Sequence, residues 1–275
     1  MRIRIEHTTR YQYDQPARSV LQILRMTPRN HDGQHVGPWR IETNVEGKLK
    51  AFEDGYGNRC HTFEADEPVR ALTLLVAGEV ETQDNAGILS GTVERLPDLF
   101  YLRETDLTAP DTALKEFAAG FADSAGTDPL GALHALVGRI HADVAFETGR
   151  TDSGTTAAEA FALRRGVCQD LTHMLLVAAR CLGFPARYVS GYFHRADGVV
   201  DQEAGHAWAE VKLPELGWVG FDPANGISTT DAHVRIAVGL DYLAAAPIRG
   251  SRRGGGSETL DVALRVDTAR RQRQD

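Results

Sequence analysis

Hydrophobic and polar positions alternate through most of the first hundred residues. Residues 1–13 set Ile3, Ile5, Thr8 and Tyr11 among charges, and Gln15-Pro16 closes that run. A second alternating run covers 20–26 and stops at Thr27-Pro28. Shorter runs follow over 39–45, 48–52, 60–64 and 72–80, with the turn-forming cluster Glu53-Asp54-Gly55-Tyr56-Gly57-Asn58 among them. Alternation bounded by Gly, Pro, Asn and Asp marks half-buried strands. This stretch therefore predicts an antiparallel sandwich or barrel-like module.

The period changes near Leu96. Residues 111–122 and 129–144 carry apolar side chains at helical spacing, with Leu130, Leu133, Val137, Ile140 and Val144 in one stripe. Thr155-Thr156-Ala157-Ala158-Glu159 has the capping-box pattern of a short helix reaching 165, and Gly166 breaks it. A stronger helix is predicted over 168–182, with Leu171, Leu175, Ala178 and Leu182 on one face; Gly183 and Pro185 end it. Strand-like runs return over 186–193, 206–213 and 218–221, then more weakly over 234–238 and 260–266. The glycine-rich segment 251–258 reads as a loop, and 269–275 as a frayed polar end. The expectation is an α+β chain with an N-terminal β domain over 1–95 and a second domain over 96–275, helices first and sheet later.

Composition adds exclusions. The 275 residues are 42% hydrophobic and 25% charged, which is ordinary for a globular chain. A net charge of −8 argues against nucleic acid as a partner, since phosphate binding needs a basic face. The N-terminus has no apolar leader-like core, and no segment approaches the roughly 18 apolar residues of a membrane span. A cytoplasmic chain with no membrane partner is expected. Cys60, Cys168 and Cys181 are widely spaced and odd in number, so neither a disulfide framework nor a zinc motif follows. A reducing compartment leaves such thiols free for chemistry.

Three segments then carry candidate chemistry. Cys168 sits after Gly166-Val167 at the first turn of its helix, where unpaired N–H groups and the helix dipole favour a thiolate and can cradle an oxyanion. A buried structural thiol is the competing reading. Cys181, on the last turn of the same helix, has the dipole against it and reads as core packing; Cys60 reads as a buried strand residue. His206 opens a strand, with Trp208 and Glu210 on its face if alternation holds. Asp222 ends the next strand before Pro223-Ala224-Asn225-Gly226, where it either caps the turn or orients a histidine. The turn Pro214-Glu215-Leu216-Gly217 lies between those strands, so a hairpin brings the start of one beside the end of the other. Asp170 suits the positive end of the helix, and His173 lies on a different side of it from Cys168. His194, Asp197, Asp201 and Glu203 lack ligand spacing, and the pairs His31/His35 and His134/His141 are not at i,i+4. No metal site or cofactor is implied.

The strings Val167-Cys168-Gln169-Asp170, Pro185-Ala186-Arg187-Tyr188-Val189-Ser190-Gly191-Tyr192, Gly205-His206-Ala207-Trp208-Ala209-Glu210 and Phe221-Asp222-Pro223-Ala224-Asn225-Gly226 resemble the transglutaminase-like superfamily. They are most similar to its bacterial branch of candidate cysteine proteases, which carries an N-terminal β domain. The resemblance implies a papain-like core with Cys168 as nucleophile, His206 as base and Asp222 as its orienting partner. Phe146, Gln169 and Trp208 are the candidates for substrate contacts. Ala224 departs from the threonine expected in the last string, at a turn position. No tryptophan lies within 100–167 to serve as the second oxyanion donor known in eukaryotic relatives, leaving the Cys168 backbone N–H as the only one named.

The resemblance implies acyl transfer through a thioester, with a peptide or protein as substrate. Hydrolysis ranks first, amine transfer as a transglutaminase second and acetyl transfer third. A non-catalytic binding module on the same fold is the alternative from another class. A homo-oligomer is compatible with the sequence.

Overall fold

One long strand organises the first layer of the computed structural model, which describes residues 1–269. The first half of β1 (Arg2–Thr27) runs between β5 (Val69–Thr82) and the C-terminal strand Glu258–Thr268. Its second half runs between β4 (Arg59–Ala65) and the strand Ile248–Gly254. β2 (Gln34–Thr43) extends the sheet beyond β5, and β3 (Gly47–Glu53) extends it beyond β4; every pairing is antiparallel.

The sheet departs from the sequence expectations in three places. The runs expected over 1–13 and 20–26 are a single strand that continues through Pro16. The proline is tolerated because β1 changes partners there: pairing with β5 breaks register between Gln12 and Ala17, where no ladder N–H is required. The loop expected over 251–258 is largely a hairpin, turning on Gly254, Gly255 and Gly256 with φ of 76°, 96° and 64°. Only glycine adopts three such angles in a row without strain. Both hairpin strands flank β1, and Leu264 and Val266 share a core with Ile3 and Ile5. A division into 1–95 and 96–275 therefore does not follow the sheets, because the end of the chain completes the first one. The frayed end expected over 269–275 falls, from 270 onward, outside the described residues.

The second layer holds the helices and the other sheet, whose antiparallel strands complete the expected α+β architecture. Its longer helices are α1 (Thr112–Ala119), α2 (Ala122–Thr127), α3 (Pro129–Asp143), α4 (Ala157–Leu163) and α5 (Cys168–Cys181), and a single turn follows at Tyr242–Ala245. Thr156 caps α4 through the expected reciprocal pair with Glu159. The second sheet places the strand His206–Leu213 between Gly217–Asp222 and Ala186–Phe193, with His233–Gly239 beyond the latter.

α5 is buried on all sides from Asp170 to Arg180, not along one stripe. It is wedged between the other helices and Ala207, Ala209 and Val211 of the His206 strand. Each fully buried Leu or Met there stabilises the fold by about 1.5–3 kcal/mol, so the helix carrying Cys168 is fixed from both sides. Among the described residues no helix is long and apolar enough to cross a membrane.

Candidate active site

The site forms where α5 begins and the hairpin of the second sheet opens. Asp170 prepares the helix end: its Oδ2 accepts from the Val167 N–H at 2.7 Å and from Thr151 Oγ1 at 2.7 Å. First-turn N–H groups of a helix have no partner within it. Asp170 occupies one of them, and those of Cys168 and Gln169 remain as donors for an anion. Burial pushes the Asp170 carboxyl above its ordinary range despite these bonds. The role expected for Asp170 at the helix end is the one it has.

His206 opens its strand as expected, and its Nε2 lies 2.7 Å from Asp222 Oδ2. Ala209 pairs with Phe221 and Glu210 with Gly220, so Asp222 falls opposite Trp208 and diagonal to His206 on the same face. Asp222 engages Nε2 and leaves the other ring nitrogen of His206 open, and Cys168 lies close enough to the imidazole to help raise its pKa. Burial alone would lower the pKa of His206. The hydrogen bond to Asp222, the Asp222 charge and the contact with Cys168 reverse this and push it up to about 10.

Asp222 is fully buried and saturated with donors. Its Oδ1 accepts from the backbone N–H groups of Ala224 and Asn225 at 3.0 and 3.2 Å. Its Oδ2 accepts from His206, from Asn225 Nδ2 at 2.6 Å and from His233 Nε2 at 3.1 Å. Burial opposes the charge, but the bonds to both histidines outweigh it and hold the carboxyl far below the usual range. Both readings of Asp222 from sequence are thus realised at once: one oxygen caps the turn while the other receives the histidine.

His233 is the residue the sequence reading passed over. The backbone N–H of Thr230 donates to its Nδ1 at 3.1 Å, which requires the proton on Nε2 and aims it at Asp222. Burial pushes its pKa down. The ring of Phe193 lies 4.7 Å from that of His233 and 5.2 Å from that of His206, filling the space beside both. His233 opens an edge strand separated from the Asp222 strand by two others. No local spacing could have joined them, and Asn225 could have been found only as a turn residue after Asp222.

The substrate-contact candidates fare differently. Phe146 is 58% exposed and lines an open groove of about 490 Å³ with Leu163, Arg165, Leu171 and Ala224, beside the start of α5. Gln169 is half-buried, its amide 3.5 Å from the Asp152 carbonyl. Trp208 is only 2% exposed and packs with Val189 and Val238 while its ring edges against His233. It backs the histidines and has no face on the groove, which corrects the expectation of a substrate contact. Gly191 makes its position available, since a Cβ there would come within 2.5 Å of the indole.

Of the other thiols, Cys60 is fully buried as expected, with Asp54 as a side-chain neighbour. Cys181 is exposed, not core. Its neighbour Arg180 turns inward instead, donating to the carbonyls of Tyr101, Ala186 and Leu240. His173 is buried deep on α5, where its Nε2 accepts from the Tyr242 N–H at 3.0 Å.

His206, Asp222 and His233 are also the one group of nearby potential metal ligands among the described residues. The His206–Asp222 separation of 2.7 Å is shorter than the roughly 3.3 Å that ligands keep across a tetrahedral zinc with bonds near 2.0 Å. The Thr230 N–H also keeps the His233 proton on the nitrogen that would have to ligate. The donor set is spent on internal hydrogen bonds.

The chain matches the bacterial transglutaminase-like N-terminal region over residues 3–81 and the transglutaminase-like superfamily over 115–223. An uncharacterised protein of Mycobacterium leprae is 29% identical over 96% of this chain and 98% of its own length. One from Mycobacterium tuberculosis is 30% identical over 90% of this chain and 87% of its own. A protein-glutamine gamma-glutamyltransferase of Pseudomonas aeruginosa is 33% identical over 39% of this chain and 18% of its own length. The crystal structure of a candidate cysteine protease from Cytophaga hutchinsonii has the same fold, with a TM-score of 0.77 at 20% identity over 98% of this chain and 91% of that one. The chain belongs to the transglutaminase-like superfamily and carries that family's bacterial N-terminal region.

Proposed function

We propose that this chain is a cysteine-dependent acyl-transfer enzyme that hydrolyses peptide or carboxamide bonds through a thioester. The observation that carries the reading is the His206–Asp222 hydrogen bond of 2.7 Å, placed where His206 also meets Cys168 at the start of α5.

The Cys168 thiol gives its proton to His206, and the thiolate attacks the carbonyl carbon. The N–H groups of Cys168 and Gln169 hold the developing oxyanion. His206 returns the proton to the leaving amine, and the thioester remains on Cys168. Water then attacks, again losing its proton to His206, and the thiol and a carboxylic acid are released. Asp222 keeps the Nε2 proton of His206 in place and stabilises the imidazolium. The groove beside Phe146 and Leu171 receives part of the substrate chain. A cytoplasmic setting suits this chemistry, because the thiol must stay reduced.

The test is a glutamine-containing peptide supplied with and without a primary amine, with products read by mass spectrometry. Release of acid and ammonia in both cases is expected. Incorporation of the amine would replace hydrolysis by the transglutaminase reading, which the likeness to the Pseudomonas aeruginosa enzyme supports over part of the chain. No turnover together with no thioester at Cys168 across a peptide library would favour the binding-module reading.

A further inference from the structure

Catalysis of this kind asks two opposed things of the base. His206 must hold the thiol proton strongly enough to keep a thiolate, and release it readily enough to protonate a leaving amine. A buried carboxylate bonded to the imidazole serves the first need and works against the second. The structure places a second histidine on that carboxylate.

We infer that His233 is a positioning residue that shares Asp222 with His206 and thereby limits how firmly Asp222 holds the His206 proton. The inference rests on the proposed role of His206 as base. The tautomer of His233 is fixed by its neighbours. The Thr230 N–H occupies His233 Nδ1, so Nε2 carries the hydrogen and donates to Asp222 Oδ2, the oxygen that also faces His206. The ring is clamped between Phe193 and Trp208, at centroid distances of 4.7 and 5.2 Å, and its side chain is 2% exposed. Protonating it would cost the Thr230 bond and place a cation in a buried site, so it donates as a neutral group.

Every donor to a carboxylate disperses its charge and weakens what remains for the other partners. Asp222 keeps four donors without His233, two of them backbone N–H groups on Oδ1 and one the Asn225 amide. The carboxylate therefore stays oriented when His233 is lost, and the change falls on its hold over His206.

Few charged groups face the two rings. Cys168 faces His206 from α5, and Asp222 faces both rings. Behind His233, a cavity of about 50 Å³ is lined by Glu210, Arg235 and His31. Glu210 is bound by two arginines and pushed down to about 2, and His31 is pushed down to about 4 by burial and then Arg235, so neither titrates with His206.

The probe is iodoacetate, an anion drawn to the imidazolium beside the thiolate, with alkylation of the Cys168 peptide followed by mass spectrometry across pH. The rate should fall at alkaline pH as His206 loses its proton, and His206→Ala should abolish that limb. In His233→Leu the limb should move up by about 0.5–1 pH unit. In His233→Gln, which keeps an N–H donor, it should return toward the wild-type position. A limb that stays put or moves down in His233→Leu, with thermal unfolding intact, overturns the inference. A wild-type profile with no limb that depends on His206 overturns the proposed function and this inference together. Should His233→Leu not fold, nitrogen-15 NMR of the wild type decides. His233 must remain the neutral Nε2–H form from pH 5 to 9, and titration within that range overturns the inference.

Discussion

Two buried carboxylates lie on one face of the second sheet, Glu210 at 2% and Asp222 at 0% exposure, and they serve different ends. Glu210 accepts from Arg187 Nε at 2.6 Å and from Arg235 Nε at 2.7 Å. Arg187 also donates to Glu94 and lies 3.9 Å over the Trp218 ring. Its partners never give up their protons, so the group is a fixed ionic joint linking three strands. Asp222 is as buried and as well bonded, yet its partners are imidazoles, one of them in contact with a thiol. Burial and a depressed pKa are common to both. What separates the proposed reactive site from a joint is whether the partner can exchange a proton with something at an opening.

Removing the thiol should separate the two carboxylates most strongly. Cys168→Ala should lower amide hydrolysis by about 10,000-fold or more, with urea unfolding almost unchanged, because the side chain is only partly buried. Asp222→Asn comes next. It should cost on the order of 1,000- to 10,000-fold in kcat by allowing the wrong His206 tautomer, measured on the same substrate. Glu210→Gln should invert the pattern. Losing one member of a buried ion group typically costs about 3–5 kcal/mol of stability, while kcat per folded molecule should stay within a few-fold of wild type.

The pH dependence of stability distinguishes the two groups more finely. His206 has a folded pKa raised from 6.5 to about 10, so its contribution is fully present below pH 6.5 and is lost as pH rises toward 10. Glu210, lowered from 4.5 to about 2, contributes above pH 4.5 and loses that contribution as pH falls toward 2. Unfolding midpoints across pH should show an alkaline decline that weakens in His206→Gln, and an acid decline that weakens in Glu210→Gln. The smallest effect concerns the other end of α5. Burial and then Glu104 push the Cys181 thiol up, so it should alkylate more slowly than Cys168 at neutral pH despite its exposure, and Cys181→Ala should leave turnover unchanged.

The positions of Cys168, His206 and Asp222 in the fold were legible because each rests on local signals: a helix start, a strand start, and a strand end one short hairpin away. The same signals could not reveal His233, whose partner is three strands over, nor place Trp208. Alternation put Trp208 correctly on the face of His206, but the face itself is covered, and one residue's period carries no record of what packs on it. Cys181 misled in the opposite way. Its apolar neighbours suggested core, whereas Arg180 is the residue turned inward to the carbonyls of three other segments.

Local sequence was enough to specify the α+β order of elements, the helix that begins at Cys168 and the hairpin that joins His206 to Asp222. These follow from periodicity, capping and turn chemistry, all of which act within about twenty residues. Long-range packing made the last two strands complete the first sheet around β1. It alone brought His233 to Asp222, and surrounded Glu210 with arginines instead of imidazoles. Those outcomes depend on which distant surfaces are buried together, and burial sets both the cost of a charge and the identity of the donors left to meet it.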